Sequence, residues 1–185
     1  MRDGTVESRD GTVESRDGRV ESRDGREVLH FERRLAFPVD RVWAALTRPE
    51  EIIGWLAEAE IQPVAGARVW LRWLNAGPDA DPAIATGIIT ALDPPRLLEY
   101  VTSLHGALRW ELEPDADGSR LRFTNMRPRP AEDPAELLAG WHVHLDFLER
   151  ALAGHPVDWP NWPAGEFRSL HEHYLAGRAD AGPAG

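Results

Sequence analysis

The side chains best suited to chemistry are histidines, and four of the seven come in pairs. His142 and His144 lie two apart in "AELLAGWHVHLDFLERALAG" (135–154), and His171 and His173 repeat that spacing in "FRSLHEHYLAG" (167–177). Helical residues advance by about 100° each, so either pair is splayed by about 160° and cannot close on one ion. Metal ligands on a helix need i,i+3 or i,i+4 spacing, and no metal site is expected. His142 and Asp146 do have that spacing, but on the expected solvent side, where a surface ion pair is the ordinary outcome. Acid–base chemistry remains. Imidazole titrates near neutrality, so His144, at the margin of an apolar stripe, is the candidate base or acid, with Tyr100 as a proton donor. No Ser–His–Asp spacing or Gly-rich phosphate loop accompanies them, and the chain has no cysteine, so neither covalent catalysis nor a cofactor is expected.

These residues need elements to hold them. Leu137, Leu138, Trp141, Leu145, Leu148 and Leu152 fall within one arc of roughly 100°, the width of a core-facing helical stripe. Asp133 caps that helix, Pro134 suits its first turn and Gly154 ends it. Period-two alternation marks strands at 57–62, 68–74, 84–92, 96–103, 107–113 and 119–126. In "RVWLRWL" (68–74), for example, Val69, Leu71 and Trp73 face one way while Arg68, Trp70 and Arg72 face the other. One apolar face per strand means an antiparallel sheet wetted on a single side. "PDADGS" (114–119) supplies hairpin chemistry and "LDPPR" (92–96) a second corner. Ahead of them, "REVLHFERRLAF" (26–37) reads as a first strand, and "FPVDRVWAALTRPEEIIGWL" (37–56) as two short helices. A one-faced sheet needs a cover, and the 134–153 helix is the long one available.

Composition bounds the function. At 185 residues one domain is expected, and a formal charge of −10 argues against a nucleic-acid partner, which needs a basic patch. No apolar run approaches the ~20 residues of a membrane span, so a soluble cytoplasmic protein is expected. All 21 basic residues are arginine, a bias that suggests a GC-rich, bacterial coding sequence.

The ends differ from the middle. "RDGTVES RDGTVES RDGRVES RDGREVL" copies a seven-residue unit three times and then runs into the first strand. With a single valine and a glycine per unit there is no coiled-coil seam, so residues 1–25 are expected to form a disordered tail before a 26–155 domain. Residues 156–185 carry Trp159, Trp162, Phe167, Leu170 and Tyr174. They are expected to fold back and cover outward aromatics such as Trp70.

Together, "ERRLAFPVDRVWAALTRPEEIIGWL", "ATGIITALDPPRLLEYVTS", "WELEPDADGSRLRFTN" and "AGWHVHLDFLERALAG" resemble the SRPBCC (START-like) superfamily. Within it, the chain looks like the branch named for activators of the heat-shock-protein-90 ATPase. The resemblance covers roughly residues 27–154 and implies an α+β helix-grip fold: a curved antiparallel sheet wrapped around a long C-terminal helix. It also implies a cavity between sheet and helix for a small apolar guest such as a lipid or polyketide. Strand parity then nominates the lining: Trp73, Tyr100, Thr102, Trp110, Phe123, Asn125 and Arg127 from the sheet, Trp141, His144 and Leu145 from the helix. Two other classes stay open, a polyketide-cyclase-like enzyme using His144 and a co-chaperone-like interaction module. Self-association as a homodimer is also open.

Overall fold

The computed structural model describes residues 15–23, 25–76, 80–128 and 131–180. Among them are eight strands, β1 (Arg19–Arg23), β2 (Arg26–Leu35), β3 (Glu58–Ile61), β4 (Arg68–Arg72), β5 (Ile84–Asp93), β6 (Leu97–Thr102), β7 (Gly106–Asp115) and β8 (Gly118–Arg127). The helices are α1 (Val39–Thr47), α2 (Pro49–Ile52), α3 (Pro134–Leu152) and α4 (Ala164–Asp180), with a 3-10 turn at Trp159–Asn161.

All eight strands form one antiparallel sheet in the order β1-β2-β8-β7-β6-β5-β4-β3. The alternation read from the sequence sets the faces: along β8, Leu121, Phe123 and Asn125 are buried while Arg120, Arg122 and Thr124 are not. The curved sheet closes around α3, which is the helix-grip fold. Asp133 caps α3 by accepting hydrogen bonds from the Ala135 and Glu136 amides, and Gly154 leaves the helix with a φ of 88°. No described helix is long and apolar enough to cross a membrane.

Three expectations need correction. First, the N-terminal tail does not run to residue 25. Arg19–Arg23 pairs with Arg26–His30 as β1, because the alternating Val20 can pack on the core while β2 offers a free edge. Residues 1–14 lie outside the described residues. Second, α3 is not a helix with one wet face. His142 and Phe147 are as buried as Trp141, because α4 packs along the side that faces away from the sheet. The solvent side assigned to His142 is an interior. Third, that packing uses the C-terminal aromatics, so they do not cover Trp70. Trp159 sits against His144 and Phe147 with ring centroids 6.1 Å from each, and Tyr174 sits 5.8 Å from His142. Trp70 instead borders an open groove of about 1370 Å³ on the outer face of β3–β6.

Candidate functional site

The nominated residues converge at one end of the sheet. Trp73 follows β4, Thr102 ends β6, Asn125 and Arg127 end β8, and these strand ends are brought together by the antiparallel order. Trp141 and His144 descend onto them from α3. Trp73 lies edge-on to Trp141 at 6.0 Å and tilted against His144 at 5.3 Å. Phe123 bridges onward, 4.5 Å from Trp141 and stacked 4.1 Å from Trp110. Tyr100 and Leu145 complete the same buried cluster. Offset and edge-on pairs of this kind satisfy the ring quadrupoles and fill volume at once.

Hydrogen bonding separates the polar members. Asn125 is fully buried and spoken for: its Nδ2 donates to the carbonyls of His105 (2.7 Å) and Ala107 (3.1 Å), and its Oδ1 accepts from the Trp141 indole (3.2 Å). Thr102 Oγ1 accepts from the His105 amide at 3.1 Å. His144 Nδ1 donates to the Trp55 carbonyl at 2.9 Å. Burial, opposed only by that bond, lowers the His144 pKa to about 4. The ring is therefore neutral at physiological pH, with Nδ1 protonated and Nε2 the one basic position. Burial also drives the Tyr100 hydroxyl upward, against a hydrogen bond with Trp110, so Tyr100 stays a neutral phenol. The two do not serve each other; each is tied to a different tryptophan.

One residue of this end has no counterpart among the sequence candidates. His105 sits in the turn between β6 and β7, 5.0 Å from the Trp73 ring and 5.4 Å from Trp141. Both of its ring nitrogens are buried without a hydrogen-bond partner among the described residues, as is the Trp73 indole N–H. Arg127 Nε is buried too, and its nearest carboxylate oxygen, Glu27 Oε1, is 3.9 Å away, beyond hydrogen-bond range. Burial, then the Arg127 charge, then His144 lower the His105 pKa to about 4. The sequence signal was slight: a histidine before Gly106, whose φ of 72° shapes the turn and whose missing Cβ would collide with the Met126 carbonyl.

The end is closed by its own side chains. Trp73, Tyr100, Trp110, Phe123, Asn125, Trp141 and Leu145 are each buried. Neither of two surface depressions is lined by a nominated residue: the outer groove described above, and a hollow of about 280 Å³ between Asn75, Gly140, Val143, Trp162 and Phe167.

The comparisons with known proteins agree with this architecture. The family model "Activator of Hsp90 ATPase homolog 1-like protein" matches residues 36–153, more than half of the chain. The chain belongs to that family. Its AHSA1-like core thus runs from the end of β2 through α3, while β1 and α4 lie outside the matched region. A crystal structure from Rhodobacter sphaeroides is 22% identical, with a TM-score of 0.64, covering 75% of this chain and 99% of that one. The solution structure of an AHSA1-like protein from Aeromonas hydrophila is 20% identical, with a TM-score of 0.60, covering 69% and 92%. A crystal structure of CalU16 from Micromonospora echinospora is 22% identical, with a TM-score of 0.61, covering 88% and 96%. At these identities the likeness is one of fold. No curated protein matches the chain.

Proposed function

We propose that this AHSA1-like protein binds a small apolar molecule carrying an acceptor oxygen, at the strand-end cluster around Trp73, His105, Arg127 and Trp141. The observation that carries the reading is the set of buried polar atoms there that find no hydrogen-bond partner among the described residues. An unpaired buried donor costs about 1–3 kcal/mol, and two residues bearing such atoms, Trp73 and His105, touch each other. A ligand carbonyl or carboxylate would satisfy the indole N–H and an imidazole N–H at once. The adjacent guanidinium favours partial or full negative charge on that oxygen, and the surrounding rings take the apolar body. Entry requires the Trp73–His105 edge contact to open, because the described side chains fill the space.

Native mass spectrometry of the full chain purified from its own host tests this. The expected result is a retained small molecule, absent from Trp73→Phe and His105→Ala proteins whose melting temperatures match the parent. An empty parent whose tryptophan fluorescence is also unmoved by naphthalene sulfonate refutes it.

A second reading, a protein-docking module, is favoured by one feature. Ile84, Ile88 and Val101 are 52%, 50% and 41% exposed on the outer face of the sheet, where Trp70, Ile88 and Val101 line the large groove. Ile88→Glu separates the readings: it would abolish partner binding while leaving interior ligand retention untouched.

A further inference from the structure

The third copy of the N-terminal repeat is docked, and it is held by the residues that all three copies share. Arg16 Nη2 donates to Asp146 Oδ1 at 2.8 Å and Glu149 Oε1 at 2.9 Å, both on α3. Asp17 Oδ2 lies 2.8 Å from His173 Nε2 on α4. The Gly18 amide donates to the Tyr174 hydroxyl at 2.8 Å, and that hydroxyl is also 2.8 Å from His142 Nδ1. Arg33, buried beneath, donates to the Arg16 carbonyl. A Cβ at Gly18 would fall on the Phe31 ring, closer than real Cβ atoms come. After the tripeptide, Val20 packs on the core opposite Leu29, and Glu21 approaches His30.

The other two copies carry the same contact set. Residues 2–8 and 9–15 read RDGTVES and residues 16–22 read RDGRVES, so the copies differ only at the fourth position. At that position Arg19 has a 72% exposed side chain, paired among the described residues with Glu21 of its own strand. The cleft between β2, α3 and α4 therefore reads Arg-Asp-Gly-x-Val-Glu and ignores the residue that varies.

We propose that this cleft is a docking site for the repeat unit itself, and that residues 9–15 are its alternative occupant. The segment can shift by seven residues and keep every contact that holds it. The connection to β2 then lengthens by seven residues. Loop-closure entropy grows only logarithmically, so the shifted register is disfavoured by roughly tenfold in population. The tandem copies make the first strand a renewable one: side-chain damage to copy three leaves an equivalent strand in reserve on the same chain.

Glycine substitutions in the full chain test this, because a Cβ at the Gly18 position would overlap the buried Phe31 ring and force it to move. Gly18→Val alone should lower the melting temperature by less than half as much as the triple variant Gly4→Val, Gly11→Val, Gly18→Val. The double variant Gly4→Val, Gly11→Val should match the parent. In Gly18→Val, hydrogen-exchange protection should rise at the Val13 and Glu14 amides. A single variant as destabilised as the triple, or one that fails to fold, overturns the shift. A triple variant as stable as the parent overturns the docking. A concentration-dependent dimer of Gly18→Val would assign the incoming copy to a neighbouring chain and also overturn it.

Discussion

Asn125→Leu should be among the most costly single changes in the interior, although leucine is close to asparagine in size and sits among apolar neighbours. The side chain makes three hydrogen bonds, two to carbonyls of the β6–β7 turn and its following strand and one from the Trp141 indole. The indole bond is buried, so its N–H cannot turn to water and is left with the full desolvation penalty of about 1–3 kcal/mol. The two carbonyls are part-buried and regain some hydration, so each costs about 0.5–1.5 kcal/mol. Leucine recovers part of this by burying apolar surface, leaving a net loss of about 2–4 kcal/mol. For a chain of 150–250 residues that corresponds to a fall in melting temperature of about 4–16 °C. Urea unfolding followed by tryptophan fluorescence measures it directly, since Trp110 and Trp141 lie in the same aromatic cluster. A loss below about 1 kcal/mol with an unchanged denaturant slope would show that water already serves these groups, and would refute Asn125 as the tie between turn and helix.

Acid should unfold the protein through its histidines. His105, His142 and His144 each have a pKa lowered to about 4, chiefly by burial, against an ordinary value of 6.5. The unfolded chain binds more protons between those values. Stability is therefore complete above about pH 6.5 and is lost as pH falls toward 4. Urea midpoints at pH 7 and pH 5 check this, and His144→Gln should flatten the dependence by up to one proton's worth, about 1.4 kcal/mol per pH unit. Equal midpoints at the two pH values would contradict it. Deleting residues 156–185 should lower the melting temperature by about 5 °C or more, because it uncovers Phe147 and His142 and removes the Trp159 indole bond to the Ile53 carbonyl at 2.6 Å. An unchanged melting curve would mean that α4 adds nothing to the fold.

The strands and the main helix were legible in the sequence because their signal is periodic and local. Alternation in "ALRWELE" already sorts Leu108, Trp110 and Leu112 from Arg109, Glu111 and Glu113, and the structure buries the first three. What escaped was what covers what. His142 looked solvent-facing because a helical wheel shows only the relation of a residue to its own stripe. The second covering surface came from α4, thirty residues on. The same limit applied to the repeat: one valine per seven residues is too little for a coiled coil, yet it suffices for a five-residue edge strand once β2 supplies the hydrogen bonds.

At the strand end the limit is sharper, since parity places a side chain on a face without saying whether its polar atoms are met. Asn125 and His105 illustrate both outcomes within one contact. Asn125 was visible as a buried polar residue at the end of an alternating strand, and its three bonds make it structural. His105 was invisible because a turn has no period. Its backbone is held by Asn125 and Thr102 while its ring meets no hydrogen-bond partner among the described residues. A fixed backbone with an unsatisfied ring is costly in a finished core and economical in a recognition site, where a guest completes the bonding. If the proposed guest binds, the residue that anchors and the residue that would recognise it are therefore neighbours, and Asn125→Leu should weaken retention of that guest even where the His105 ring is intact.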